Sequence, residues 1–452
     1  MRAIPLTLVL VLSSALAAPV TVTATGLPSG ATGTVTVGKT TTKLGSTVQL
    51  PNGTYSVTGS AVGVGAKVFV AKPVSITVKG STTAKLNYTK LPPGAPDPLF
   101  GANGQRTTKV PDMPSADHWI TMSSGPDLPI ITSAGSGDNN RQQLVRLSGT
   151  ALGPAIPVRP QQTIYNRNIT PLIKDRDGYL AGLSESTGTI IRYDSAGKQD
   201  TGWKTTPEVG PYLRGLLRLP DGGLLAYGGI APEVWKLSAN GTADAKFGEG
   251  GRLSLAQVDA TLNQRGTVQA ARVMSDGRIR MVVVDEDLLS LMDLDMTGQI
   301  KLVAPAVRLP GDASFMEYIN NVKVQADGSA YVTTLLNEQT QLIRITSQGK
   351  IDPTFKSSPT GNALSVSGIA IQSDGKVVMA YRTQNLDSRI IRYLPNGALD
   401  QTFGDKGIVQ SQEWVSSVEV DSDGKLYVIS SGLGEALNQK SSFLRITRLL
   451  AE

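Results

Sequence analysis

The chain has 452 residues, no cysteine, a single histidine (His118), 48 glycines, 26 prolines and 18% charged residues. Without a thiol it can form no disulfide, zinc–thiolate site, iron–sulfur cluster or cysteine nucleophile, and one imidazole cannot build a multi-histidine metal site. The formal charge of +6 reads as spread along the chain, which favours weak attraction to anionic surfaces over a nucleic-acid groove.

Residues 1–17 have the pattern of a signal peptide. Arg2 supplies the positive start, Ile4 to Leu12 an apolar core, and Ala15-Leu16-Ala17 a small-x-small cleavage site. No later run of 18 apolar residues exists, so no transmembrane span is expected. The mature chain is expected to be exported, to the periplasm, the cell envelope or the extracellular space. Stability there must come from burial and paired strands alone.

Residues 18–90 are rich in threonine, valine and glycine. Val20, Val22 and Ala24 alternate with threonines, Val35 and Val37 repeat the pattern, and Val74, Ile76 and Val78 alternate with Ser75 and Thr77. Such alternation marks half-buried strands and predicts a small β-sandwich. Pro51-Asn52-Gly53 reads as a turn between two of these strands. The stretch Leu50-Pro51-Asn52-Gly53-Thr54-Tyr55-Ser56-Val57 resembles the hairpin of PEGA-like and carboxypeptidase-regulatory-like domains. Leu91 to Pro96 contains three prolines and reads as a stiff linker.

The remainder repeats. An Asp-Gly turn recurs at Asp177, Asp221, Asp276, Asp327, Asp374 and Asp423, with a degenerate copy at Gly125-Pro126-Asp127. A period of about 50 residues means a repeat architecture. Each turn is followed by a strand, a variable loop, a strand such as Ile391-Arg392-Tyr393, and a second turn. Four strands per unit and seven units predict a seven-bladed β-propeller over 97–452, with an open solenoid as the alternative. Asp-x-x-Phe-Gly-x-x-Gly closes two units, at Asp244–Gly251 and Asp400–Gly407. The last unit lacks it, yet Asp97, Phe100, Gly101 and Gly104 carry it ahead of the first. Residues 97–110 are therefore expected to supply the outer strand of the last blade, removing exposed sheet edges. The Ile391–Gly407 unit and the Gln372-Ser373-Asp374-Gly375-Lys376 turn resemble the delta-60 repeat family of exported bacterial proteins. That resemblance implies a β-propeller and no established activity.

Aligned on the turn Asp, the first strands show apolar columns eight and five residues earlier. The columns nine and seven earlier are polar and aromatic. They include His118, Asn168, Tyr212, Arg214, Gln269, Tyr318, Asn320 and Trp414. Strand alternation would place these side chains around a channel mouth. Aromatic, amide and guanidinium groups there suit a sugar ring or a peptide. Asp175-Arg176-Asp177-Gly178 and Asp421-Ser422-Asp423-Gly424 invite a calcium reading, but a type I′ hairpin explains Asp-Gly without metal. A Ser–His–Asp relay would depend on His118 alone. Glu317 and Glu413, near first-strand starts, are the carboxylates to consider for glycoside hydrolysis.

The reading that results is an all-β chain: a signal peptide (1–17), a β-sandwich (18–90), a linker (91–96) and a propeller (97–452). Its expected role is non-enzymatic binding of an envelope protein or glycan through the channel mouth and the loops 134–140, 227–233, 382–388 and 431–440. No cofactor or metal is expected, and no nucleic-acid partner. A carboxylate- or metal-dependent hydrolase of glycans or lactones, and a structural envelope component, remain as alternatives.

Overall fold

A computed structural model of the chain describes residues 17–110, 119–122, 128–134, 141–148, 151–152, 156–157, 172–175, 178–182, 190–194, 198–203, 209, 213–228, 232–255, 266–310, 321–336, 339–358, 360, 363–421, 424–433 and 442–452. The expected signal peptide lies almost wholly outside them. Two units are distinguished, one running to Pro92 and the other spanning Pro93–Ala451.

In the first unit the alternating valines do what a period of two requires. Val20, Val22, Val35, Val37, Val57, Val78, Ala84 and Leu86 are buried in one core. That core is shared by two sheets. One contains Ala18–Thr25, Thr47–Leu50, Val62–Val64, Lys67–Ala71 and Thr82–Lys90, and the other Thr34–Val37, Thr40–Lys43, Gly53–Gly59 and Val74–Val78. Intervening threonines face outward and pair by their hydroxyls, as Thr21 with Thr47 at 2.8 Å and Thr36 with Thr41 at 2.9 Å. Pro51-Asn52-Gly53 is not a hairpin turn. Thr47–Leu50 pairs with Ala18–Thr25, while Gly53–Gly59 pairs with strands of the other sheet. The turn therefore carries the chain across the core.

The charge is not spread along the chain, contrary to the expectation above. Residues 18–90 hold Lys39, Lys43, Lys67, Lys72, Lys79, Lys85 and Lys90, with no arginine, aspartate or glutamate. Of the 43 basic residues, Arg2 and these seven precede residue 91, leaving 35 against all 37 acidic residues. The positive excess thus belongs to the small unit.

The second unit contains seven antiparallel sheets among the described residues. Their first strands are Trp119–Met122, Leu172–Asp175, Leu213–Arg218, Thr267–Val273, Val322–Val324, Ala363–Ile371 and Trp414–Val420. Each packs on the next, and Trp414–Val420 packs on Trp119–Met122, so the circuit closes. Not every sheet has four strands among the described residues. Those starting at Leu172 and Val322 have three, with isolated bridges Tyr193–Gln199 and Ile345–Ile351 beyond the third. The final sheet draws on both chain ends: Gln105–Val110 pairs antiparallel with Ser442–Leu449, Thr107 opposite Arg445.

The Asp-x-x-Phe motif is a turn with a physical logic. Asp400 Oδ1 accepts the Thr402 amide at 3.1 Å, and its carbonyl accepts the Phe403 amide at 3.0 Å. Its Oδ2 accepts Arg392 Nε at 2.9 Å, both side chains being buried. Arg392 lies over the Phe403 ring, 4.6 Å from its centroid, and Phe403 is buried beneath it. The copy at Asp97 is built alike: Leu99 and Phe100 amides on Asp97, Arg448 Nε at 2.8 Å, and Arg448 4.7 Å from the Phe100 centroid. Both copies take positive φ at the glycine after Phe, at the residue before the second glycine (Asn103, Lys406) and at that glycine. One sheet inverts the charges. Asp293 takes the position of Arg392 and is held by Arg280 Nε at 2.5 Å from the facing strand.

Pro93–Pro96, read as linker in the sequence, is bound into this unit. Pro93 and Ala95 carbonyls accept the amides of Gly404 and Leu450, and Gly94 donates to the Leu450 carbonyl. Arg392 Nη1 reaches the carbonyl of Ala451.

The Asp-Gly turns at Asp221, Asp276, Asp327 and Asp374, whose residues are all described, are not type I′. Type I′ needs positive φ at two central residues. Among the described turn residues only the glycines have it: Gly222, Gly277, Gly328, Gly375 and Gly424. Gly375 donates to Gln372 and Gln372 to Lys376, a three-residue loop in which a type I turn ends in a left-handed glycine. The Asp carboxylate serves the turn, Asp374 Oδ1 accepting the Lys376 amide at 3.1 Å and Asp327 Oδ1 the Ser329 amide at 2.8 Å.

Candidate functional site

Of the polar columns, Arg214, Gln269 and Trp414 lie among the described residues; His118, Asn168, Tyr212, Tyr318 and Asn320 lie outside them. Simple alternation does not place these side chains. Apolar columns eight and five residues before the turn Asp are three apart, and a regular strand cannot turn both to one face. The structure supplies the reason. The ladder shifts between Leu213 and Gly215, Val268 and Ala270, Val366 and Gly368, and Val415 and Ser417. Each shift leaves one extra residue, Arg214, Gln269, Ser367 or Ser416, always seven before the turn Asp. A β-bulge adds one residue without a partner, restoring the apolar face and re-aiming the inserted side chain. Arg214 is accordingly exposed between buried Leu213 and Leu216. Its guanidinium still loses enough water to neighbouring protein for its pKa to fall below the ordinary arginine value. Gln269 is half-buried and donates to Thr267 Oγ1 of the same strand.

Trp414 is half-buried and carries the Arg382 guanidinium on its face, 4.1 Å from the ring centroid. Arg382 stands opposite Ser365 at the end of the preceding sheet's first hairpin. A second bulge, between Ala363 and Ser365, holds Leu364 there. Leu364 is 46% exposed and Leu386, in the loop beyond Arg382, is 57% exposed with φ of 67°. That loop is closed by Thr383, whose amide donates to the Asp387 carbonyl at 2.9 Å and whose hydroxyl donates to the Asp387 carboxylate. Two open leucines therefore flank a cation–π pair at one end of adjacent sheets. Exposed apolar area beside Trp and Arg is the composition of a recognition patch. Arg382 and Leu386 belong to the loop 382–388 that the sequence reading expected to carry recognition, whereas Leu364, on the first strand, was not among the residues expected.

Glu413, beside Trp414, is not a free acid. Its carboxylate pairs with Arg445 and accepts Ser430 Oγ at 2.5 Å. These side chains line a cleft of about 320 Å³ between the last two sheets, with Ile390, Val409 and Val428 as its apolar wall. Glu317 lies outside the described residues. Among the described residues no group of three or more His, Cys, Asp or Glu is placed to hold a metal ion. No helix among them is long and apolar enough to cross a membrane.

The family described as "Domain of unknown function (DUF5122) beta-propeller" matches residues 372–403. No curated protein matches the sequence. Among solved structures, the chain is similar to the WD40 domain of coronin from Toxoplasma gondii, at 10% identity and a TM-score of 0.46, over 80% of this chain and 90% of that one. It is also similar to the calcium-binding protein regucalcin from Agrobacterium tumefaciens strain C58, at 11% identity and a TM-score of 0.35, over 61% of this chain and 88% of that one. With the family match on its sixth sheet and a closed circuit of first strands, the second unit is a β-propeller.

Proposed function

We propose that the chain is an exported, non-enzymatic binding scaffold of the cell envelope or extracellular space. It recognises a protein or glycan with the end of its propeller where the first strands begin. On this reading the second unit is a seven-bladed ring of delta-60 repeats, clasped by residues 97–110, and the first a small PEGA-like β-sandwich. The closed circuit of seven first strands and the Asp97 copy of the blade-ending turn support the ring. Two sheets around one core support the sandwich.

The observation that carries the function is the patch of Leu364, Arg382, Leu386 and Trp414. Two large apolar side chains are left open on a rigid frame, next to an arginine already desolvated on one side by an indole. Burying such a group is what hot-spot residues do at interfaces. A pull-down from envelope fractions tests it. Trp414→Ala and Leu386→Asp should each abolish capture, and Arg214→Ala should weaken it. Undiminished capture by both of the first two variants removes recognition from this end.

A further inference from the structure

We propose that residues 18–90 form an electrostatic docking unit for a linear acidic polysaccharide, acting separately from recognition by the propeller. All seven lysines of this stretch are exposed, and no carboxylate in it neutralises them. Lys67, Lys85 and Lys90 stand on the sheet of Ala18–Thr25, Lys43 on the other, and Lys39, Lys72 and Lys79 in the turns between strands. Single exposed lysine–carboxylate pairs are weak. Seven cations on one small unit act together by releasing counterions from a polyanion.

The surrounding chemistry selects among polyanions. A bilayer would be bound by one face, with apolar side chains to insert. Here the lysines are distributed over both sheets and the turns between strands, and none of the exposed large apolar residues belongs to this unit. A nucleic acid would call for arginine forks and aromatic platforms. The unit has no arginine; Phe69 and Tyr88 are buried, and the Tyr55 hydroxyl donates to the Pro51 carbonyl at 2.9 Å. What the outer faces do offer is rows of threonine hydroxyls, paired at Thr21–Thr47, Thr36–Thr41 and Thr54–Thr77. Ammonium and hydroxyl groups on two faces suit a flexible chain bearing both carboxylates and hydroxyls.

The test uses the full chain and polygalacturonate as the probe, with neutral dextran, single-stranded oligonucleotide and phosphatidylglycerol vesicles beside it. Affinity for polygalacturonate should fall steeply between about 50 and 200 mM salt. Replacing Lys43, Lys79, Lys85 and Lys90 together by Gln should weaken it by about tenfold or more, with the melting temperature unchanged. The same change at Lys198, Lys246, Lys301 and Lys350 of the propeller should leave it intact, and Trp414→Ala should not alter it. Absence of binding, equal loss in the two four-lysine variants, or tighter binding of vesicles or oligonucleotide overturns the proposal.

Discussion

The sheet Ala363–Ser411 and the sheet that joins Gln105–Val110 to Trp414–Leu449 are built from the same parts at different sequence distances. Arg392 and Asp400 are eight residues apart; Arg448 and Asp97 are 351 apart. The turn, the buried phenylalanine and the arginine above it are alike in both. The first can form from one contiguous stretch. The second needs both chain ends, and at about 0.6 kcal/mol per doubling of loop length that costs roughly 3 kcal/mol more. What offsets it is a six-residue ladder, the binding of Pro93–Pro96 and the removal of two open edges. The junction, not any single sheet, is therefore where the circuit is most easily opened.

Deletion of the junction should have the largest effect. Removing residues 93–110 should lower the melting temperature by on the order of 10 °C or more, since several kcal/mol of ladder and core leave together. Removing 18–90 should leave the propeller's transition nearly in place. Equal losses would contradict the account. Next come the phenylalanines. Phe403→Ala and Phe100→Ala each remove a buried ring and should cost about 3–5 kcal/mol in denaturant unfolding. Only Phe100→Ala should also expose residues 105–110 to proteolysis. Arg392→Ala should follow closely, at about 3–5 kcal/mol, because it strands a buried Asp400 and frees Ala451. Arg448→Ala should cost less, its side chain being more exposed at 12% against 2%.

The smallest effect is on pH. The hydrogen bond from Lys236 holds Asp244 below the ordinary carboxylate range, with help from the Lys246 amide. Burial pushes Asp400 up, but hydrogen bonds from Thr402 and the Arg392 charge outweigh it and its pKa is also lowered. Such groups bind protons more readily in the unfolded chain. Their stabilisation is complete above the unfolded carboxylate pKa, about 4, and is lost as pH falls through the folded values. Melting temperatures from pH 6 to 3 should show the decline, and Asp244→Asn should flatten it.

The all-β class and the propeller were legible because a period of about 50 residues and strand alternation leave their mark on every copy. The site was legible only in part. Trp414, Arg214 and Gln269 stood out by residue type, but their placement depends on a bulge that sequence signals only as two apolar columns an odd distance apart. Arg382 lay in an expected recognition loop, 382–388, but its pairing with Trp414 comes from contact between neighbouring sheets, and Leu364 is held by a second bulge that alignment on the turn does not show. Asp-Gly suggested the commoner two-residue turn, whereas at Asp221, Asp276, Asp327 and Asp374 the ladder closes over three residues. The concentration of lysine before residue 91 needed no structure, only a count made unit by unit.

The junction can be tested directly because the chain has no cysteine of its own. Thr107 and Arg445 are opposite each other in the ladder, so Thr107→Cys with Arg445→Cys places two thiols within reach of one bond. The purified double variant should oxidise within one molecule, seen as a mass loss of two hydrogens without a dimer, and its melting temperature should rise. A folded protein that keeps both thiols free, or links only between molecules, would contradict the pairing of the chain ends.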